Sequence, residues 1–170
     1  MSFFRKYSKT KTNICSSSSF KKFPTRSVLV VEDDLDLKPP ITKAIMEVDP
    51  FMDVVWVTTG HRAMEEISEH AASTTGQSFS LVISDIFLPG RTTGISLWKM
   101  VGKFEAPLPM ILITASDERE VRKILGKIDH IPLILQKPLD LEYFKQTISF
   151  MCQTKKKMEK NNKGGSDELK

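Results

Sequence analysis

Four short apolar runs along this chain each end on polar residues: Val28-Leu-Val-Val31 leads into Glu32-Asp33-Asp34, Leu81-Val-Ile-Ser84 into Asp85, Met110-Ile-Leu-Ile113 into Thr114, and Leu133-Ile-Leu135 into Gln136-Lys137-Pro138. Their length and β-branched content predict buried strands. A fifth strand is predicted over Asp53-Val-Val-Trp-Val57. Between them lie stretches with helical spacing of apolar positions. Ile41, Ala44, Ile45 and Val48 mark one helix, with Pro39-Pro40 acceptable only because they fall in its first turn. A second helix runs from about Gly60 to Ala71 with Met64, Ile67 and Ala71 inward, and a third lies around Ile95 to Lys103. Val121, Ile124, Leu125 and Ile128 define a fourth, and Leu141, Phe144, Ile148 and Met151 a fifth. Ser73 to Ser78 and Leu88 to Gly94 read as loops. The result is five βα units without an internal repeat. In open sheets of this kind, ligands bind at the carboxyl ends of parallel strands. Neighbouring strands would therefore bring the acids, the hydroxyl and the ammonium to one place.

Composition divides the chain into a folded unit and two tails. Length and a 40% hydrophobic content suffice for one core. Residues 1–26 carry seven basic residues and no acid, and 153–170 carry six lysines against three acids, so the +4 total leaves the stretch 27–152 at −6. The basic balance thus belongs to the tails, and the core is acidic. The Ser/Lys-rich extension 1–26 and the Lys-rich segment 153–170 are expected to be disordered, flanking a domain over 27–152. Cys15 and Cys152 form neither a disulfide framework nor a metal motif, which fits a reducing, cytoplasmic setting. No apolar segment approaches the roughly 20 residues needed to span a bilayer, and no output module for DNA is expected after the last helix.

The strand ends support a specific chemistry. Glu32 and Asp33 supply hard oxygen donors at one point and Asp85 adds a third carboxylate, a set suited to Mg²⁺. Without a cation, clustered carboxylates repel one another. An aspartate in such a place can act as a nucleophile and form an acyl phosphate. Thr114 can donate to a phosphoryl oxygen and Lys137 can pair with it as a point charge. Asp34 and Asp36 read as solvated or capping residues, His61, His70 and His130 as surface residues, and Trp56 and Trp98 as packing residues.

Val-Leu-Val-Val-Glu32-Asp33-Asp, Ile-Ser-Asp85-Ile-Phe-Leu-Pro89-Gly, Ile-Leu-Ile-Thr114-Ala115-Ser and Gln-Lys137-Pro138, taken in order, resemble the signatures of the response regulator receiver domain of two-component signalling. The resemblance covers roughly residues 26–152. It implies a flavodoxin-like (βα)₅ fold, doubly wound about a central five-stranded parallel sheet. Asp85 would be the phosphoacceptor, fed by a sensor histidine kinase or a histidine phosphotransfer protein. Mg²⁺ would be held by Asp33, Asp85 and the backbone carbonyl of Phe87, with Glu32 acting directly or through water. Thr114 and Lys137 would sense the phosphoryl group. The implied protein is a single-domain regulator, not an enzyme in the ordinary sense, whose output passes through a downstream protein or a phosphorylation-dependent homodimer.

Three positions depart from the family pattern. Ile134 stands where receivers usually carry an aromatic, three residues before the lysine. The loop 88–94 is one residue longer than usual, so Gly94 and not Thr93 is the glycine that opens the next helix. Phe87, two residues after the acceptor, offers no group to orient a hydrolytic water, and a long-lived acyl phosphate is expected. Two other readings compete. A degenerate receiver would act by docking alone. A haloacid-dehalogenase-like phosphatase would use Asp34 and Asp36, with Thr114 and Lys137 holding phosphate, but its later acidic motif has only Asp140 and Glu142 to draw on, apart on a helix start.

Overall fold

The computed structural model describes residues 26–72, 79–103, 108–126 and 132–163. The extension up to residue 25 with Cys15, the loop 73–78, Ile128 and His130 lie outside the described residues.

Five strands form one parallel sheet: β1 (Ser27–Val31), β2 (Asp53–Val57), β3 (Phe79–Asp85), β4 (Met110–Thr114) and β5 (Leu133–Gln136), in the order β2-β1-β3-β4-β5. The helices are α1 (Lys38–Val48), α2 (Gly60–Ala72), α3 (Gly94–Val101), α4 (Glu118–Leu125) and α5 (Leu141–Lys163). β1, β3 and β4 are buried along their whole length. That is why they read as continuous apolar runs instead of alternating ones. Strand periodicity sorts their side chains into two cores. Leu29, Val31, Val82 and Leu112 pack with residues of α2, α3 and α4, while Val28, Val30, Leu81, Ile83, Ile111 and Ile113 pack with α1 and α5.

Local chemistry sets the helix starts. Asp34 accepts from the Asp36 N–H at 3.0 Å and opens a 3-10 turn over Leu35–Leu37, so its capping role is met, and the prolines fall in the first turn of α1. Thr93 caps α3 by accepting from the Ser96 N–H at 3.1 Å, and Asp117 caps α4 by accepting from the Glu120 N–H at 2.9 Å. Gly126, at a φ of 68°, ends α4 in the left-handed region that favours glycine.

Some helix faces differ from expectation. In α2 the buried stripe is Gly60, Ala63 and Ile67, with Met64 half-buried and Ala71 exposed. The next position on that stripe is 70, where the His70 ring lies 4.0 Å from that of Phe79. His70 is therefore a packing residue, and Ala71 points away. Ile124 and Leu141 are exposed, and Cys152 joins Phe144 and Ile148 in the buried stripe of α5. The helix continues to Lys163, so the boundary drawn at residue 152 lies inside it. Lys, Glu, Gln and Met, which dominate 153–160, are good helix formers, and composition alone reads such a lysine-rich stretch as tail. No helix among the described residues is long and apolar enough to cross a membrane.

Candidate functional site

Strand register aligns the polar ends. Val31 pairs with Ser84 and with Val57, Asp85 with Ile113, and Thr114 with Gln136. One residue beyond β1 is therefore Glu32, β3 closes on Asp85, β4 on Thr114, and one beyond β5 is Lys137. Backbone bonds continue past the ladder: Glu32 N–H donates to the Val57 carbonyl at 3.0 Å, Ile86 N–H to that of Ile113 at 2.9 Å, and Lys137 N–H to that of Thr114 at 2.7 Å. The functional side chains thus leave from an extension of the sheet, not from slack loops.

Lys137 reaches back across two strands. Its ammonium donates to Asp85 Oδ2 at 2.6 Å and lies 2.7 Å from Glu32 Oε2. The other oxygen of each acid takes a backbone donor: Asp85 Oδ1 accepts from the Phe87 N–H at 3.0 Å, and Glu32 Oε1 from the Asp34 N–H at 3.1 Å. Glu32 Oε2 is fully buried, and its contact with the ammonium is an ion pair without hydrogen-bond geometry. Burial raises the Glu32 pKa above the usual carboxylate range, more than Lys137 and the Asp34 N–H lower it, with Asp85 adding to the rise. For Lys137, burial pulls the pKa down, but the hydrogen bond to Asp85 and the ion pair with Glu32 outweigh it and the ammonium is held charged.

Asp33 completes an acidic cluster. Glu32, Asp33 and Asp85 each place one carboxylate oxygen within 4.8 Å of the others. Asp33 is exposed, and among the described residues its carboxylate takes no hydrogen bond or ion pair. The residues fit a small divalent cation on two grounds: all donors are hard oxygens, and one buried oxygen of Glu32 lacks a hydrogen-bond partner.

Glycine is required where the next loop folds back. A Cβ on Gly94 would lie 2.0 Å from the Asp85 carbonyl oxygen, and the Gly94 N–H donates to the Ile86 carbonyl at 3.0 Å. In the same loop Gly90 takes a φ of 97°. Phe87 sits in this loop with its ring exposed.

Thr114 is buried, and its hydroxyl accepts from the Ser116 N–H at 3.1 Å. It borders a groove of about 350 Å³ that Val121, Leu125, Pro132 and Ile134 also line. Asp34 and Asp36 stand outside the acidic cluster, which removes the nucleophile and acid that the phosphatase reading needs. The sequence reading missed a role for Trp56. Its indole N–H donates to the Glu32 carbonyl at 3.1 Å, and the Lys38 ammonium lies 5.7 Å from its ring centroid. The sequence signals only that an indole in a predicted strand needs an acceptor for its N–H, not which acceptor it takes.

A family model described as the response regulator receiver domain matches residues 28–149. No curated protein matches the chain. Among solved structures, the non-phosphorylated HemR receiver domain from Leptospira biflexa is similar at 26% identity and a TM-score of 0.53, covering 75% of this chain and 94% of that one. A response regulator receiver protein from Sinorhizobium medicae is similar at 18% identity and a TM-score of 0.61, covering 77% of this chain and 97% of its own. The phosphorylated cyanobacterial phytochrome response regulator RcpA gives 18% identity and a TM-score of 0.58, with 75% and 91% covered.

Proposed function

This chain belongs to the response regulator receiver family, a family of signalling domains, and from that membership we propose that Asp85 is its phosphoacceptor. The carrying observation is the single ammonium of Lys137 set 2.6 Å from Asp85 Oδ2 and 2.7 Å from Glu32 Oε2 at one sheet edge. An Asp85 carboxylate oxygen attacks the phosphorus of a phosphohistidine on a histidine kinase or phosphotransfer protein. The new bond is P–O, the bond broken is P–N, and the electron pair goes to the imidazole nitrogen, which then takes a proton. Glu32, Asp33, Asp85 and the Phe87 carbonyl would hold Mg²⁺, which when bound offsets the charge of the carboxylates and of the incoming phosphoryl group. Lys137 then pairs with the phosphoryl oxygens in place of the Asp85 carboxylate, and the Thr114 hydroxyl donates to one of them. Signal output runs through proteins that distinguish the two states of the β4–β5 surface.

Incubation of the full chain with Mg²⁺ and acetyl phosphate or phosphoramidate, followed by intact mass measurement, tests this. A phosphoryl adduct on wild type and none on Asp85→Asn is expected. Wild type unmodified by every donor would leave docking alone as the function.

A further inference from the structure

We propose that Trp56 is a positioning residue for the acid pair: its indole N–H sets the Glu32–Asp33 peptide and, through it, the direction of the Asp33 carboxylate. The inference rests on the metal site proposed above.

The β1 ladder ends at Val31, yet both backbone polar groups of Glu32 are tied to β2. The Glu32 N–H donates to the Val57 carbonyl at 3.0 Å, and the Glu32 carbonyl accepts from Trp56 Nε1 at 3.1 Å. Glu32 is fully buried, so its carbonyl needs a donor from the protein, and after the last β2 pair the neighbouring strand supplies it from a side chain. That carbonyl belongs to the peptide that leads into Asp33. The Asp33 side chain has no tie of its own among the described residues, unlike Glu32 and Asp85, which are each held by a backbone N–H and by Lys137. Asp33 is therefore placed by its backbone alone. The ring that holds this backbone is itself fixed on two sides. It packs against the core of α1 and α5, and the Lys38 ammonium from the first turn of α1 lies 5.7 Å from its centroid.

Packing alone would ask only for a large aromatic at this position. The two roles separate when shape is kept and the donor removed. Mg²⁺ is titrated calorimetrically into the full chain as wild type, as Trp56→Phe, and with benzothienylalanine at position 56, in which sulfur replaces the N–H. Trp98→Phe, which alters the other core, and Asp33→Asn serve as controls. Both donor-free proteins should bind Mg²⁺ about three- to tenfold more weakly than wild type, the range expected for one lost hydrogen bond. Trp98→Phe should bind as wild type does. In acetyl phosphate reactions the deficit should appear as a higher half-saturating Mg²⁺ concentration, with the rate at saturating Mg²⁺ unchanged. Wild-type Mg²⁺ affinity in both donor-free proteins overturns the role of Trp56, as does a rate deficit that saturating Mg²⁺ leaves in place. Those outcomes leave the metal site standing if Asp33→Asn loses binding. Failure of wild type to bind Mg²⁺ overturns the metal site itself, and the role of Trp56 with it.

Discussion

On the β1–β3 side of the sheet edge, the Glu32 and Asp85 carboxylates are each held by a backbone N–H and by the same ammonium. On the β4–β5 side, the Thr114 hydroxyl has one hydrogen bond among the described residues, from the Ser116 N–H, and Thr114 borders an open groove beside Ile134. The contrast separates two requirements. Accepting a phosphoryl group needs donors and charges fixed before the donor arrives, because preorganised groups cost nothing to reorganise during the reaction. Reporting it needs an element with a second arrangement available. The tight half has the first property, and the loose half has the space that a second arrangement would need. Ile134 lies in the loose half, where, under the proposed function, a change should alter how the state is read more than whether it forms.

Lys137 links the halves, so its loss has the largest expected effect. Lys137→Met should slow adduct formation by about a hundredfold, the scale of removing one preorganised donor from a developing charge. It also leaves Glu32 and Asp85 facing each other, which should lower stability by about 1–3 kcal/mol in Mg²⁺-free buffer. Mg²⁺ should recover much of that. Thermal unfolding with and without Mg²⁺ checks the point, and a variant indifferent to Mg²⁺ would show that the cation does not relieve the acid cluster.

Phosphoryl lifetime is the next test. Phe87 presents an exposed ring two residues after Asp85, the proposed acceptor, with no group to hold a water in line. The adduct on wild type should persist far beyond seconds, and Phe87→Asn should hydrolyse severalfold faster. Intact mass followed over time reads both. Decay within seconds in wild type would mean that another group orients the water.

Thr114→Ala probes the loose half directly. Among the described residues the hydroxyl accepts only a local N–H, so its removal should cost about 1 kcal/mol of stability. Adduct formation on Asp85 should keep its yield and slow by less than about tenfold, the scale of one ordinary hydrogen bond and well short of the Lys137 effect. Loss of the adduct in Thr114→Ala would break the division between the two halves.

What sequence made legible follows the same division. Buried parallel strands are continuous apolar runs, so β1, β3 and β4 announced themselves, the half-buried β5 did so by its short apolar run, and each put its polar residue at the carboxyl edge. Convergence of Glu32, Asp33, Asp85 and Lys137 then needed only the strand order. Side-chain reach was hidden. That one ammonium touches both Glu32 and Asp85, or that the Trp56 indole caps the Glu32 carbonyl, depends on pairing register and rotamer, which no linear pattern encodes. Helix faces failed where a residue of mixed character took the inward place. His70 lies on Phe79 where Ala71 was expected to turn inward. The end of α5 was hidden for another reason: lysine-rich sequence is compatible with both helix and tail.

Ile134→Phe carries the smallest expected effect and bears most directly on the loose half. Ile134 lines a groove of about 350 Å³ with Val121 and Leu125. A phenyl ring at this position has apolar walls to meet and space to enter. Filling such space usually gains up to about 1 kcal/mol, so the unfolding free energy from denaturant titration should rise by about 0.5–1 kcal/mol. Adduct formation should be unchanged, because the groups that hold Asp85 are the Phe87 N–H and the Lys137 ammonium, not Ile134. A fall of more than about 1 kcal/mol would indicate overpacking, and would mean that the groove closes around isoleucine in solution. A changed rate of phosphorylation would carry a different meaning: the β4–β5 surface would then feed back on Asp85, and the two halves would be one coupled unit.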